Sequence, residues 1–158
     1  MNKQEIFAAI LRHLQAELSR LTEAALSTHA EATHEENKAE DKYDTRGLEA
    51  SYLAHGQSKA AEEAAQAVAQ FQALPLRNFS PGDPVSLGAL VTIESRSSSC
   101  YFIGPRAGGT EVKFDGIEVM VITPQSPLGR QLLGRRQGDQ LQLDLGGRKT
   151  DCRVSAVI

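Results

Sequence analysis

The sequence predicts an α+β protein in two parts, a long helical hairpin followed by a small domain of about five strands and one short helix. Three observations point there. Apolar residues recur at spacings of three and four through the first 74 residues. A cluster of breakers, Pro75, Pro81, Gly82, Asp83 and Pro84, then interrupts the pattern. Beyond it, short runs rich in Val and Ile alternate with glycine-containing turns. A period near 3.6 marks amphipathic helix, a period of 2 marks strand, and Pro/Gly clusters mark the joints. A length of 158 residues suits one domain with a simple extension. The expected division is residues 1–75 for the hairpin and 76–158 for the second domain.

The first helix is predicted from Asn2 to about Ala32. Ile6, Ile10, Leu14, Leu18, Leu21 and Ala25 lie on one face, and no Gly or Pro interrupts the run. At 1.5 Å per residue, a helix of about 30 residues is roughly 45 Å long. The second is predicted from Asn37 or Asp44 to Leu74. Its apolar stripe is read through Leu48, Tyr52, Ala60, Ala64, Val68 and Phe71, and its many alanines favour helix. Gly47 and Gly56 weaken it by roughly 1 kcal/mol each relative to Ala. Two such stripes joined by a short polar turn read as an antiparallel helical hairpin.

The turn between them, His34 to Asp44, carries five carboxylates: Glu35, Glu36, Glu40, Asp41 and Asp44. In continuous helix, Glu36, Glu40 and Asp44 fall at i, i+4 and i+8. Like charges at that spacing cost an isolated helix roughly 0.2–0.5 kcal/mol per pair. Two readings stand side by side. Thr33 with Glu36, and Asn37 with Glu40, fit the capping-box pattern of an ordinary solvated helix start. The alternative is a carboxylate tip with a task of its own.

In the second part, Leu87–Ser95, Cys100–Gly104, Glu118–Thr123, Leu141–Leu145 and Cys152–Ile158 read as strands. Gly108-Gly109 and Gly146-Gly147 mark turns. Pro127–Leu133 reads as a short helix with Ser126 as N-cap, Pro127 in its first turn and Gly134 as its stop. In that helix Leu128, Leu132 and Leu133 are expected in the core, with Gly129 and Arg130 exposed.

Composition excludes several functions. Eight aromatic residues and no Trp leave little for a base-stacking platform or an aromatic-lined pocket. Residues 1–75 hold 7 Lys and Arg against 12 Asp and Glu, a net charge of −5. Residues 76–158 hold 10 against 8, a net of +2, which together make the chain's −3. The acidic half repels phosphates, so stable direct DNA binding is not expected. Arg130, Arg135 and Arg136 form a basic cluster, either a solvated face or a patch for an acidic partner. Cys100 and Cys152 have no metal-ligand spacing and read as buried free thiols. His34-Glu35 lacks the second histidine of the H-E-x-x-H zinc motif, since the fifth residue is Lys38. His13, His29 and His55 read as solvated. No apolar run reaches the roughly 20 residues of a membrane span, so no membrane partner and a cytoplasmic location are expected.

One segment carries a family resemblance. Ser126-Pro127-Leu128-Gly129-Arg130-Gln131-Leu132-Leu133-Gly134-Arg135-Arg136-Gln137-Gly138-Asp139 is similar to the S-P-L-G-x-A-L-L-G-x-x-x-G-D segment of the bacterial Gre transcript-cleavage factors. Leu87-Gly88-Ala89-Leu90-Val91-Thr92-Ile93 resembles their F-G-A-T-V-T-V strand. Tyr101-Phe102-Ile103-Gly104 resembles Y-x-I-V-G, and Gly146-Gly147 resembles the P-G-G turn. The matches run in order over about Pro81–Ile158, behind a helical hairpin. The resemblance implies an FKBP-like C-terminal domain and an antiparallel coiled coil ahead of it. It implies RNA polymerase as partner, with the C-terminal domain docked at the secondary-channel rim and the coiled coil reaching down the channel. Ser126, Pro127, Gly129, Arg130, Arg135 and Arg136 would then be docking residues. Glu35, Glu36, Glu40, Asp41 and Asp44 would act on the polymerase active site. Glu36, Glu40 and Asp41 would reach a Mg²⁺ shared with the polymerase, since hard oxygen ligands suit that ion. No tightly bound cofactor and no catalytic centre of its own are implied.

The tip departs from the family's D-x-x-E-N-x-x-Y. Aligning Glu36-Asn37 places Thr33 at the Asp position and Glu40 at the Tyr. Aligning Asn37 with the Asp places Glu40 at the Glu and Tyr43 one residue early. Neither register keeps both carboxylates with the Tyr. Several functions therefore stay open. The first is a Gre-like elongation regulator whose tip stimulates cleavage of backtracked transcripts. The second is a channel-occluding inhibitor without cleavage stimulation. The third is a coiled-coil interaction protein, with a weak homodimer compatible with any of them. A proline isomerase on the FKBP-like domain is disfavoured by the few aromatics, Phe79, Tyr101, Phe102 and Phe114, in that half.

Overall fold

The computed structural model describes residues 2–33, 46–80, 82–145 and 147–158. Its elements in order are α1 (Lys3–Thr33), α2 (Arg46–Gln72), β1 (Leu90–Glu94), β2 (Ser98–Ile103), β3 (Glu111–Phe114), β4 (Ile117–Ile122), α3 (Pro127–Leu132), β5 (Gln140–Leu145) and β6 (Arg148–Val157). Two packed helices thus precede a mixed β-sheet domain, an α+β architecture. The chain divides into two compact units, residues 1–12 with 70–158, and residues 13–69.

In the 13–69 unit both helices contribute to one thin apolar seam. Leu14, Ala25 and Thr28 of α1 and Ala54, Ala67 and Val68 of α2 are buried. Thr28 satisfies its hydroxyl on the carbonyl of Ala24 at 2.9 Å, so its burial leaves no polar group unpaired. His29 and Thr33, late in α1, line a groove with Ser51, Ala54, His55 and Ser58, early in α2. His13, His29 and His55 are exposed, as expected.

The stripe on α2 differs from the expected one. Leu48 is 58% exposed and Tyr52 70% exposed. Counting back from buried Phe71 and Val68 in alternating steps of three and four lands on Ala64, Ala61, Gln57, Ala54 and Ala50, none of them fully exposed. The buried line therefore runs through small residues. Leu48 and Tyr52 stand off its phase although they are the larger apolar side chains, because position on the helix decides burial.

The other unit is organised by a six-stranded sheet of order β3-β4-β2-β1-β6-β5. Strands β2 and β4 are parallel, and every other neighbouring pair is antiparallel. The sixth strand, β3, was not expected. Its four residues alternate exposed Glu111 and Lys113 with buried Val112 and half-buried Phe114. It pairs Phe114 with Ile117 around Asp115-Gly116, whose φ angles are 50° and 76°. Two positive φ values are what a two-residue I′ hairpin turn demands, and Asp-Gly supplies them. That dipeptide was the available signal.

Both faces of the sheet are covered. Val91, Ile93, Ile103, Ile122, Leu143 and Val154 form a core with Leu132 of α3. A second cluster gathers Phe102 with Phe7 and Phe71, the ends of the helices that belong to this unit. The three ring centroids lie 5.8–6.1 Å apart, the separation at which aromatic pairs gain beyond their buried area. Gly104 makes the close approach possible, since a Cβ there would stand 2.7 Å from the Phe71 ring.

Asn2 caps α1, its Oδ1 accepting from the amides of Gln4 and Glu5 at 3.1 and 3.4 Å. One turn in, Lys3 is only 5% exposed. Its Nζ donates to the carbonyls of Arg77 and Gly88 and stands 4.7 Å from the centre of the Phe79 ring. The Arg77 guanidinium stacks on that ring at 4.0 Å. Phe79 thus takes two cation–π contacts, which pins the breaker-rich 75–84 segment to the start of α1.

Candidate functional site

The carboxylates Glu35, Glu36, Glu40, Asp41 and Asp44 lie outside the described residues. The other implied group, Ser126 to Asp139, is described in full.

Here sequence dictates geometry closely. Ser126 Oγ donates to the carbonyl of Thr123 at 2.8 Å and accepts from the amide of Gly129 at 3.0 Å. Ser126 is the N-cap, at φ −64° and ψ 154°, and Pro127 sits in the first turn without an amide to satisfy. Gly129 is buried, contrary to the exposed placement expected for it. A Cβ at this position would lie 1.9 Å from the Thr123 carbonyl oxygen. Glycine is therefore needed to let the helix lie on the end of β4, and Gly129 offers no surface to a partner. Leu132 is fully buried and Leu128 and Leu133 are partly buried against the core, as expected.

Arg130, Arg135 and Arg136 are all exposed. Arg130 Nη1 donates to the Gln125 carbonyl at 2.5 Å. Arg135 Nε reaches the Gln131 carbonyl at 3.4 Å. The Arg136 amide donates to Asp139 Oδ2 at 2.9 Å, closing the turn before β5. The backbone of Arg135 and Gly134 pairs with Val85, at 2.7 and 2.9 Å, which anchors the arginine turn to the chain entering the sheet. The structure thus brings Arg130 and Arg135 together on one groove with Gln131 and Asp139. Pro127, Leu128, Met120, Ile122 and Gly109 line a mostly apolar groove of about 510 Å³ beside it.

Sequence reasoning passed over Gln131, which stands where the Gre segment has alanine. Its Nε2 donates to the carbonyls of Pro127 at 3.0 Å and Asp144 at 3.3 Å. Its Oε1 accepts from the Asp144 amide at 2.9 Å. A glutamine in a short helix carries no sequence signal for that role.

Among the described residues, no group of three His, Cys, Asp or Glu is placed to hold a metal. Cys100 and Cys152 are buried free thiols. Burial raises the Cys152 thiol above its ordinary value, against a smaller opposing effect of a backbone hydrogen bond at Leu143. No helix among the described residues is long and apolar enough to cross a membrane.

No protein-family profile matches the chain. Individual relatives do. It is 30% identical over 155 residues to the transcription inhibitor protein Gfh1 of Thermus thermophilus, covering 96% of this chain and 92% of the relative. The chain belongs to the Gre/Gfh1 family of transcription factors. Gfh1 of Thermus aquaticus is 29% identical over 155 residues, covering 96% of this chain and 91% of that protein. The family member in hand is a distant one, and like its relatives it is an accessory factor, not an enzyme. A solved Gfh1 structure matches over 94% of this chain and 93% of its own at 27% identity, with a TM-score of 0.40. A Gre factor from Nitrosomonas europaea matches over 73% of this chain and 94% of its own at 22% identity, with a TM-score of 0.37.

Proposed function

We propose that this chain is a cytoplasmic regulator that binds RNA polymerase, inserts its acidic tip into the secondary channel and inhibits transcription by occluding it. The observation that carries this reading is near full-length similarity to relatives named transcription inhibitors. The tip supports the same version. A cleavage-stimulating factor of the Gre pattern needs an Asp and a Glu held together, and neither register of residues 33–44 provides both beside the Tyr. Occlusion needs only bulk and charge. The cleavage-stimulating alternative is accordingly the weaker of the two.

In this reading the helices form an antiparallel coiled coil and the sheet domain is of the FKBP-like class. Ser126, Pro127, Arg130, Arg135 and Arg136 belong to the surface that docks on the channel rim. Gly129 acts through them by letting α3 lie down on β4. Glu35, Glu36, Glu40, Asp41 and Asp44 are the effector residues. Their oxygen donors suit a polymerase-held Mg²⁺, with Glu36, Glu40 and Asp41 as the nearest candidates, but occlusion does not depend on that contact. The acidic hairpin gives no affinity for DNA, and any homodimer is weak.

The test adds the purified protein to backtracked elongation complexes of its host's polymerase with Mg²⁺. Slower elongation, no shortened transcript and competition with a cleavage factor are the expected results. Neutralising the tip (Glu35→Gln, Glu36→Gln, Glu40→Gln, Asp41→Asn, Asp44→Asn) should relieve inhibition while binding persists. Transcript shortening would replace this reading with the stimulating one. Absence of any polymerase binding would leave a helical interaction protein.

A further inference from the structure

Strand β5 is an outer strand of the sheet. In an antiparallel strand, alternate residues aim both backbone groups the same way. Asp144 aims its amide and carbonyl away from β6, because both bond to the side chain of Gln131 at 2.9 and 3.3 Å. Gln142 and Gln140, two and four residues back, therefore aim theirs the same way. Neither receives a hydrogen bond on that side among the described residues.

Gln131 makes with Asp144 the two-bond contact that a peptide group of an added strand would make. The edge thus already accepts an amide at one position and leaves the next two open. Beside the open positions lies a groove of about 540 Å³ between α3 and β5. Leu133 and Leu141, both half-buried, supply apolar surface, and Arg130 and Arg135 stand on the helix side. Each guanidinium uses one N–H on a backbone carbonyl. Among the described residues neither pairs with a carboxylate. Asp139, at the end of the groove, is engaged by the Arg136 amide at 2.9 Å.

We infer that this groove binds an extended acidic segment of a partner protein, which adds to the sheet as a strand beside β5. Backbone groups of Gln140 and Gln142 supply the ladder, alternate apolar side chains rest on Leu133 and Leu141, and carboxylates meet Arg130 and Arg135. Gln131 ends the ladder by occupying Asp144, which sets the register. The inference goes beyond the polymerase reading and is argued from the groove alone.

The test titrates isotope-labelled full-length protein with a capped peptide alternating glutamate and valine, followed by amide NMR. The amides of Gln140 and Gln142 should shift and their hydrogen exchange should slow. The double variant Arg130→Gln, Arg135→Gln should bind at least about tenfold more weakly, and added salt should narrow the difference. A peptide N-methylated at every residue should fail to bind, since it cannot donate to the ladder. Equal binding of the methylated peptide, equal binding of a lysine–valine peptide, or no binding at all would overturn the proposal. So would concentration-dependent shifts at Gln140 and Gln142 without peptide, which would assign the edge to a second copy of this chain. None of these readouts involves polymerase, so the two proposals fail separately.

Discussion

The same two helices are packed by different means in the two compact units. Between residues 13 and 69 most of the buried side chains are small, Ala25, Thr28, Ala54 and Ala67 beside Leu14 and Val68, while Leu48, Leu53 and Tyr52 face solvent. Where they belong to the other unit they bury Ile6, Ile10 and Phe71 completely, with Phe7 and Phe102 stacked alongside. Fully burying one large apolar side chain is worth about 1.5–3 kcal/mol, several times the gain from an alanine methyl. The 13–69 unit is thus held mostly by small buried side chains, and the other by large ones. The residues proposed to act on polymerase chemistry fall in sequence between the two helices of the 13–69 unit, and the proposed docking residues belong to the other unit.

The comparison breaks first at Phe71. Phe71→Ala empties a fully buried site between two other rings and should cost about 3–5 kcal/mol in urea unfolding. A loss below about 1 kcal/mol would mean the aromatic cluster does not organise its unit. Gly129→Ala comes next, because the new methyl meets the Thr123 backbone instead of a movable side chain. A loss of about 1–3 kcal/mol is expected, together with shifts in the amides of Thr123 and Ser126. An unperturbed variant would show that α3 has room on β4.

Lys3→Met should cost about 1–3 kcal/mol by leaving the carbonyls of Arg77 and Gly88 without their donor. It also has a pH signature. Burial, and to a lesser degree the charge of Arg77, lowers the Lys3 ammonium below its ordinary value. The unfolded chain therefore binds that proton more tightly than the folded one. Stability relative to the Met variant should rise with pH between the lowered and the ordinary lysine values, and be flat at neutral pH. A fall across that alkaline window would contradict the buried placement. The smallest effect belongs to the 13–69 unit. Tyr52→Lys and Leu48→Lys should each change stability by no more than about 0.5 kcal/mol. A cost near that of Phe71→Ala would mean that something covers this face.

Much of this was legible in the residues. Ser126 and Pro127 announced α3, because an N-cap oxygen and a first-turn proline act within four residues of chain. The α1 stripe of Ile6, Ile10 and Leu14 was legible because those residues are both periodic and large. The four-residue strand β3 was not picked out, although Asp115-Gly116 marked its hairpin.

By itself the sequence determined every element but β3, the breaker-rich segment that follows α2, and the family, all of which rest on local spacing and residue order. Tertiary structure alone decided which side chains are covered. It put Tyr52 in solvent and Ala54 in the seam, because burial depends on the neighbouring helix and not on the size of the side chain. It buried Gly129 under Thr123, and it enclosed Lys3 between the carbonyls of Arg77 and Gly88, more than seventy residues away in the chain. It also turned Gln131 into the plug of an open sheet edge. Such contacts join residues distant in sequence, and no local pattern of charge or hydrophobicity encodes which distant atoms will meet.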